Sequence, residues 1–354
     1  MDQAEKVRNI LTGRSLDAVL ISDGYNMRYI SGFSGGDGYV YLTHQRKVIL
    51  TDSRYTIQAE EESNGFEILE VNGAYEDVLC RLLAEDNVLT LGFEAEDIRY
   101  NDYIRFRDAL GSTELVPVGD ELTRLRCVKE AWELDRIQKA EQIGDLAFDK
   151  ILNIIKPGMT ELEVAAHLEF IMKEKGAERL SFDTIAASGV HSAMPHAVPT
   201  DKRIEPGDFL TMDFGCVYQG YCSDMTRTIV VGKADRKQKE VYRTVLEAQT
   251  AALSYIRAGL TGRDIDRAAR DIIYRAGYEG CFGHGLGHSV GLFIHENPRL
   301  SPREDAVLQA GMIETVEPGI YIRGFGGVRI EDLVVVTEDG CINFTGSPKE
   351  LIEL

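Results

Sequence analysis

The sequence predicts a mixed α/β (α+β) chain of two domains, a small N-terminal α/β domain over residues 1–124 and a larger one over residues 125–354. Three observations carry that expectation. The 354 residues exceed what one ordinary core holds. Strand-like apolar runs alternate with helical spacing through the first 120 or so residues. Further on, KPGMTELEVAAHLEFIMKEKG at 156–176 is echoed by RAGLTGRDIDRAARDIIYRAG at 257–277, so the larger domain reads as two related halves facing one another across a cleft.

The elements follow in order. DAVLIS, YVYLT and KVILTD read as strands, with DGYNMRYISGFSGGDG between the first two as tight turns. RYTIQAEEE and AYEDVLCRLLAED have helical spacing, and VLTLGFE is a further strand. A long helix opens the second domain, with Trp132, Ile137, Ile143, Leu146, Ile151 and Ile155 as its apolar stripe and Pro157-Gly158 as its stop. The next helix starts on a capping box, Thr160 with Glu163, and stops at Gly176. Two helices recur at 236–257 and 261–276.

Composition excludes several classes of function. The formal charge of −19, with no Lys/Arg run to interrupt it, repels nucleic acid and anionic membrane surfaces. The N-terminus is charged from its second residue and no stretch has the apolar length of a membrane span, so the chain reads as cytoplasmic. Six cysteines without a CxxC pair read as reduced and mostly buried, with Cys216 and Cys222 as packing residues.

Three segments can carry chemistry. DFLTMDFGCVYQGYCSDMTRTIVVG at 208–232 reads as a hairpin; a turn centred on Tyr218-Gln219 would set Asp213 directly opposite Asp224, two like charges that need a cation between them. Two separately solvated acids explain that pair equally well. GCFGHGLGHSVGLFIHEN at 280–297 gathers His284, His288 and His295 among glycines, a loop suited to close approach, although a single histidine there is more often a satisfied surface or core residue. MIETVEPGIYIRGFGGVRIEDLVVVTEDG at 312–340 sets Glu317 and Glu331 within apolar strands, where each needs a partner; Arg329 would supply one for Glu331. Four carboxylates and one imidazole together match a two-metal site better than a nucleophile triad, with Mn²⁺, Co²⁺ or Fe²⁺ favoured over zinc.

These segments resemble the pita-bread metallopeptidases, the family of methionine aminopeptidase, aminopeptidase P and prolidase. MDFGCVYQGYCSDMTRT, HGLGHSVGLFIHENP, TVEPGIY and VRIEDLVVV carry the resemblance, which spans nearly the whole chain. It implies a pita-bread fold for residues 125–354, with pseudo-twofold related halves, and a prolidase-like domain before it. It also implies metal ligands at Asp213, Asp224, His288, Glu317 and Glu331, holding two divalent ions of which Mn or Co is favoured and Zn or Fe possible. SGVHSAMPHAVPTD at 188–201 resembles the Xaa-Pro branch, and so do LDAVLISDGYNMRYISGFSG, TDSRY and LGFE in the first domain.

The implied activity is hydrolysis of Xaa-Pro bonds in proline-containing di- or oligopeptides. His196, His295 and Glu317 would be catalytic, and His284 and Arg329 would line the proline side. A dipeptidase is favoured over an aminopeptidase acting on longer peptides, with Arg329 as a candidate for the free carboxylate. A non-catalytic peptide-binding protein of the same fold is the alternative outside enzymes. The resemblance implies a homodimer, for which an exposed aromatic turn at DGYNMRYISGF would serve, although ordinary core packing explains that segment as well. Two positions depart from the family pattern: Leu333 stands where many relatives carry a second acid, and Glu314 where an apolar residue is expected.

Overall fold

The computed structural model describes residues 3–354, and the chain divides into two compact units, Met1–Arg126 and Cys127–Leu354. The first unit is built on a mixed six-stranded sheet. Ala18–Ile21 lies at its centre, antiparallel to Tyr39–Thr43 on one side and parallel to Thr90–Glu94 on the other. Lys47–Thr51, Glu67–Glu70 and Glu114–Val118 complete the sheet. Leu20, Tyr41, Val48, Leu82 and Phe106 are among the residues of its buried core.

One expected turn is a helix. In DGYNMRYIS the Asp23 side chain accepts a hydrogen bond from Asn26 N and caps the helix Gly24–Ser31, which Gly32 ends at φ 84°. Met27, Tyr29, Ile30 and Phe33 are buried, so of the two explanations of this aromatic segment core packing is the one that holds for these side chains. An N-cap followed by buried residues at helical spacing outweighed the Gly and Asn that read as turn signals.

In the second unit the echo seen in the sequence recurs as structure. The helices Ala131–Ile151 and Glu161–Glu174 are matched by Arg236–Tyr255 and Gly262–Arg275. Thr160 and Thr261 close equivalent capping boxes with Glu163 and Asp264. The backbone ahead of each box pairs alike: Gly158 N donates to Ile204 O and Ile204 N to Met159 O, while Gly259 N donates to Leu308 O and Leu308 N to Leu260 O. Each half then contributes an antiparallel strand pair, Phe209–Phe214 with Met225–Val230 and Ile313–Val316 with Asp332–Val336. Two apolar cores result, one around Ile143, Leu168 and Phe214, the other around Val245, Ile265 and Val334.

The long helix departs from its expected stripe. Ile137, Ile143 and Ile151 are buried, but Trp132 and Leu146 are 40% and 47% exposed. Glu133, Ala140, Glu141, Gly144, Ala147 and Phe148 complete the buried face instead: Ala140, Gly144 and Ala147 let the helix sit close, and a scan for large apolar residues passes over them. All six cysteines are free, and only Cys127, Cys216 and Cys222 are buried.

Candidate metal centre

The hairpin at 208–232 turns at Gln219-Gly220, whose φ values of 47° and 88° match the mirror-image turns that join twisted strands. The centre thus lies one residue later than expected and the register moves by two. Asp213 pairs with Thr226, not Asp224. A shift of two preserves the face of the sheet, and the two aspartates still converge. Their approach depends on Gly215, where a Cβ would stand 2.0 Å from Ser223 O.

Three of the five expected ligands leave regular structure. Asp224 directly precedes Met225–Val230, Glu317 follows Ile313–Val316, and Glu331 lies between Gly326–Arg329 and Asp332–Val336. Neither glutamate is inside a strand, as the sequence implied. At these breaks a side chain can turn toward the cleft without disturbing a ladder.

Oxygens of Asp213, Asp224 and Glu331 all lie within 4.8 Å of one another. His288 adjoins them, its Nε2 3.5 Å from Asp224 Oδ2 and 3.6 Å from Glu317 Oε1. His288 Nδ1 lies 3.1 Å from Ser289 O; a carbonyl only accepts, so Nδ1 carries the proton and Nε2 keeps its lone pair. Burial holds His288 neutral, its pKa pushed down to about 3. The acids shift the other way. Burial, with Glu331 second, raises Asp224 well above the usual carboxylate range, burial raises Glu331 likewise, and burial pushes Glu317 up to about 8.

Such crowding is unfavourable without a positive partner, and the residues fit a cationic group. Asp213 Oδ1 and Glu331 Oε1 are buried and accept no hydrogen bond. Oxygen donors with one neutral imidazole suit hard to borderline divalent ions.

The other oxygens of Asp213 and Glu331 are used. Arg329 Nη2 donates to Asp213 Oδ2 at 2.6 Å, not to Glu331, so the ion pair expected between neighbours on one strand does not form. Arg329 Nε donates to Thr226 Oγ1 at 3.0 Å, and Thr226 Oγ1 donates to Glu331 Oε2 at 2.6 Å. Arg329 Nη1 donates to Tyr321 OH at 2.8 Å and to Pro195 O at 3.3 Å.

A cavity of about 920 Å³ opens over the cluster, lined among others by Phe182, His196, His284, His295, Arg299 and Arg329. His284 Nε2 accepts from Tyr321 OH at 2.9 Å, and burial lowers its pKa to about 4. The His295 ring stands 4.7 Å from that of His288, edge to face, and burial lowers its pKa too. Sequence reading missed Tyr321, Thr226 and Arg299. Tyr321 stands in the TVEPGIY segment, but only the fold brings its hydroxyl between His284 and Arg329.

The two departures noted in the sequence behave differently. Leu333 is fully buried in its strand, while neighbouring Asp332 pairs with Arg227 at 2.8 Å and Lys349 at 2.6 Å. Glu314 is also fully buried, and neither of its carboxyl oxygens has a hydrogen-bond partner.

Fold and cluster together define a metallopeptidase with a separate N-terminal unit. The profile of metallopeptidase family M24 matches residues 135–338, that of the creatinase/prolidase N-terminal domain matches residues 3–128, and the chain belongs to family M24. Membership in this family implies divalent metal. The chain is 41% identical to the Xaa-Pro dipeptidase of Pyrococcus horikoshii, with 99% of each chain covered. Among solved structures it is similar to the Xaa-Pro dipeptidase from Bacillus anthracis, at TM-score 0.97 and 45% identity with 100% and 99% covered. It is also similar to the X-Pro aminopeptidase from Thermotoga maritima, at TM-score 0.93 and 39% identity with both chains fully covered.

Proposed function

We propose that the chain hydrolyses Xaa-Pro peptide bonds, foremost as a dipeptidase, with two divalent cations, Mn²⁺ or Co²⁺ favoured, held by Asp213, Asp224, His288, Glu317 and Glu331. The observation that carries this is the buried set of carboxylates with unshared oxygens in the wall of a cavity that histidines also line. Bound there, the cations supply charge that polarises the scissile carbonyl and acidifies the attacking water.

The side chains perform the proton transfers. Glu317 accepts the proton of the water as its oxygen bonds to the carbonyl carbon, and returns it to the prolyl nitrogen as the C–N bond breaks. His196 and His295 each offer an N–H to the oxyanion that develops meanwhile. His284 and Arg329 line the proline side. Arg329 already donates to Asp213, Thr226, Tyr321 and Pro195, which leaves Arg299 better suited to a dipeptide's free carboxylate. Arg299 lines the cavity, and its Nη2 donates only at 3.5 Å, to His295 O.

A second reading, an aminopeptidase acting on longer peptides, draws support from the likeness to the Thermotoga maritima protein and from a cavity at the upper end of the usual pocket range of about 300–1,000 Å³. Residues 1–124 would serve either activity as a prolidase-like accessory domain beside a catalytic domain at 125–354. A cytoplasmic homodimer is the assembly that the family resemblance supports, and sedimentation velocity measures the dimer. No helix among the described residues is long and apolar enough to cross a membrane.

The deciding experiment compares hydrolysis of Ala-Pro and Arg-Pro-Pro by metal-stripped protein before and after Mn²⁺, Co²⁺ or Zn²⁺ is added. Metal-restored cleavage of Ala-Pro alone is expected. Cleavage of the tripeptide alone would give the aminopeptidase, and no cleavage despite metal uptake would refute both.

A further inference from the structure

The loop that carries His196 is tied down by a residue outside the metal cluster. Glu161 is the first residue of the helix Glu161–Glu174 and is fully buried. Its Oε1 accepts from Ser188 N at 2.6 Å and Ser188 Oγ at 3.0 Å. Its Oε2 accepts from Thr200 N at 3.1 Å and Thr200 Oγ1 at 2.7 Å. Between those ends, His191 Nδ1 meets the same carboxylate at 2.8 Å. One side chain thus gathers donors from the start, middle and end of the segment 188–200. Four of those donors come from the two ends of the segment, so the two carboxylate oxygens tie both ends to the start of the helix.

The middle of the segment is fixed from the other half of the unit. Gly327 N donates to Ser192 Oγ at 2.9 Å, and Arg329 Nη1 reaches Pro195 O at 3.3 Å. His196 follows at once. It is exposed on the cavity wall, so its place is set by how the loop is held and not by packing of its own ring.

We propose that Glu161 is a positioning residue for the Xaa-Pro reaction: its carboxylate cinches the loop 188–200 so that His196 faces the carbonyl undergoing attack. The proposal rests on the role given to His196 in the reading above. All five expected metal ligands lie on other segments, so loosening the loop leaves the metal in place. A misplacement on the order of 1 Å costs up to about 100-fold in rate.

The test uses the Mn²⁺-loaded full chain with Glu161→Gln and with the milder Thr200→Val, which removes one hydroxyl donor at nearly constant shape. Hydrogen exchange of the 188–200 amides should quicken in both, more in Glu161→Gln, while exchange across 209–230 and metal content stay at wild-type values. The kcat for Ala-Pro should fall about 10- to 100-fold in Glu161→Gln with KM little changed. In a His196→Ala background that loss should shrink to less than twofold, because the two residues act through one contact. Unchanged exchange over 188–200 in both variants would overturn the proposal, and so would losses that multiply in the double variant, as those of a merely structural residue do. Exchange is read without substrate, so failure of the Xaa-Pro reading, seen as wild-type protein that cleaves nothing, leaves the test of the clamp in force.

Discussion

The two halves of the C-terminal unit use the same helix to hold different loops. Where the first half has Glu161 after its capping threonine, the second has Gly262. A Cβ at Gly262 would stand 2.1 Å from Arg299 O, so there the backbone of the strand Glu296–Leu300 fills the space that a carboxylate fills in the first half. The second half moves its buried acid one turn along. Asp266 accepts from Leu286 N at 3.0 Å and from Arg270, whose Nη1 and Nη2 reach Phe282 O at 2.8 Å and His284 O at 2.7 Å. Each half thus pins a histidine-bearing loop with a buried acid near a helix start, directly in one case and through an arginine in the other. Repetition fixed the scaffold, while the side chains on it diverged.

The largest test of that divergence lies in the acids at the ends of the matched strands. Glu317→Gln should lower kcat by about 10²- to 10⁴-fold with the fold retained, whereas Asp213→Asn, its counterpart in the first half, should act chiefly by loosening metal. Turnover measured beside metal content separates the two, and a fully active Glu317→Gln protein would refute the role of that carboxylate. Asp266→Asn should cost about 10-fold in kcat/KM for Ala-Pro. A wild-type value would show that the arginine-mediated anchor is not the counterpart of the direct one.

The long helices differ in a way that pH can read. The first half buries Glu133 and Glu141, while the matched helix of the second buries only uncharged polar groups, Gln238, Thr244 and Gln249. Burial pushes Glu141 up to about 8 from an ordinary 4.5. The unfolded chain therefore loses this proton before the folded chain does, and stability falls as pH rises from about 4.5 toward 8, then levels. Glu141→Gln keeps an oxygen for Thr345 and removes the titration, so its melting temperature should gain on wild type progressively between pH 5 and 8. The slope is at most about 1.4 kcal/mol per pH unit, and a constant offset would contradict it. The smallest effect is expected at Leu146, half exposed on the first helix: Leu146→Ala should change stability by no more than about 0.5 kcal/mol.

Much of this arrangement was legible in the chain. The capping boxes at Thr160 and Thr261, the stop at Gly176 and the duplication are local patterns, and local patterns survive folding. The segments holding Asp213, Asp224, His288, Glu317 and Glu331 were also legible, because acids amid apolar residues need a partner. The register of the hairpin was not, since Gln219 at positive φ is a backbone choice that its side chain does not advertise. Glu161 reads in sequence as an ordinary first-turn acid that complements a helix dipole. Only the arrival of Ser188, His191 and Thr200, 27 to 39 residues later, turns it into a hub. Tyr321 and Arg299 stayed silent for the same reason.

The placement of Asp224, Glu317 and Glu331 at gaps between strands has a consequence for substitution. A residue outside a ladder can be exchanged without breaking the pairing on either side, so a substitution at these points spares the strands that flank it. What these side chains do is therefore separable from the ladders that carry them.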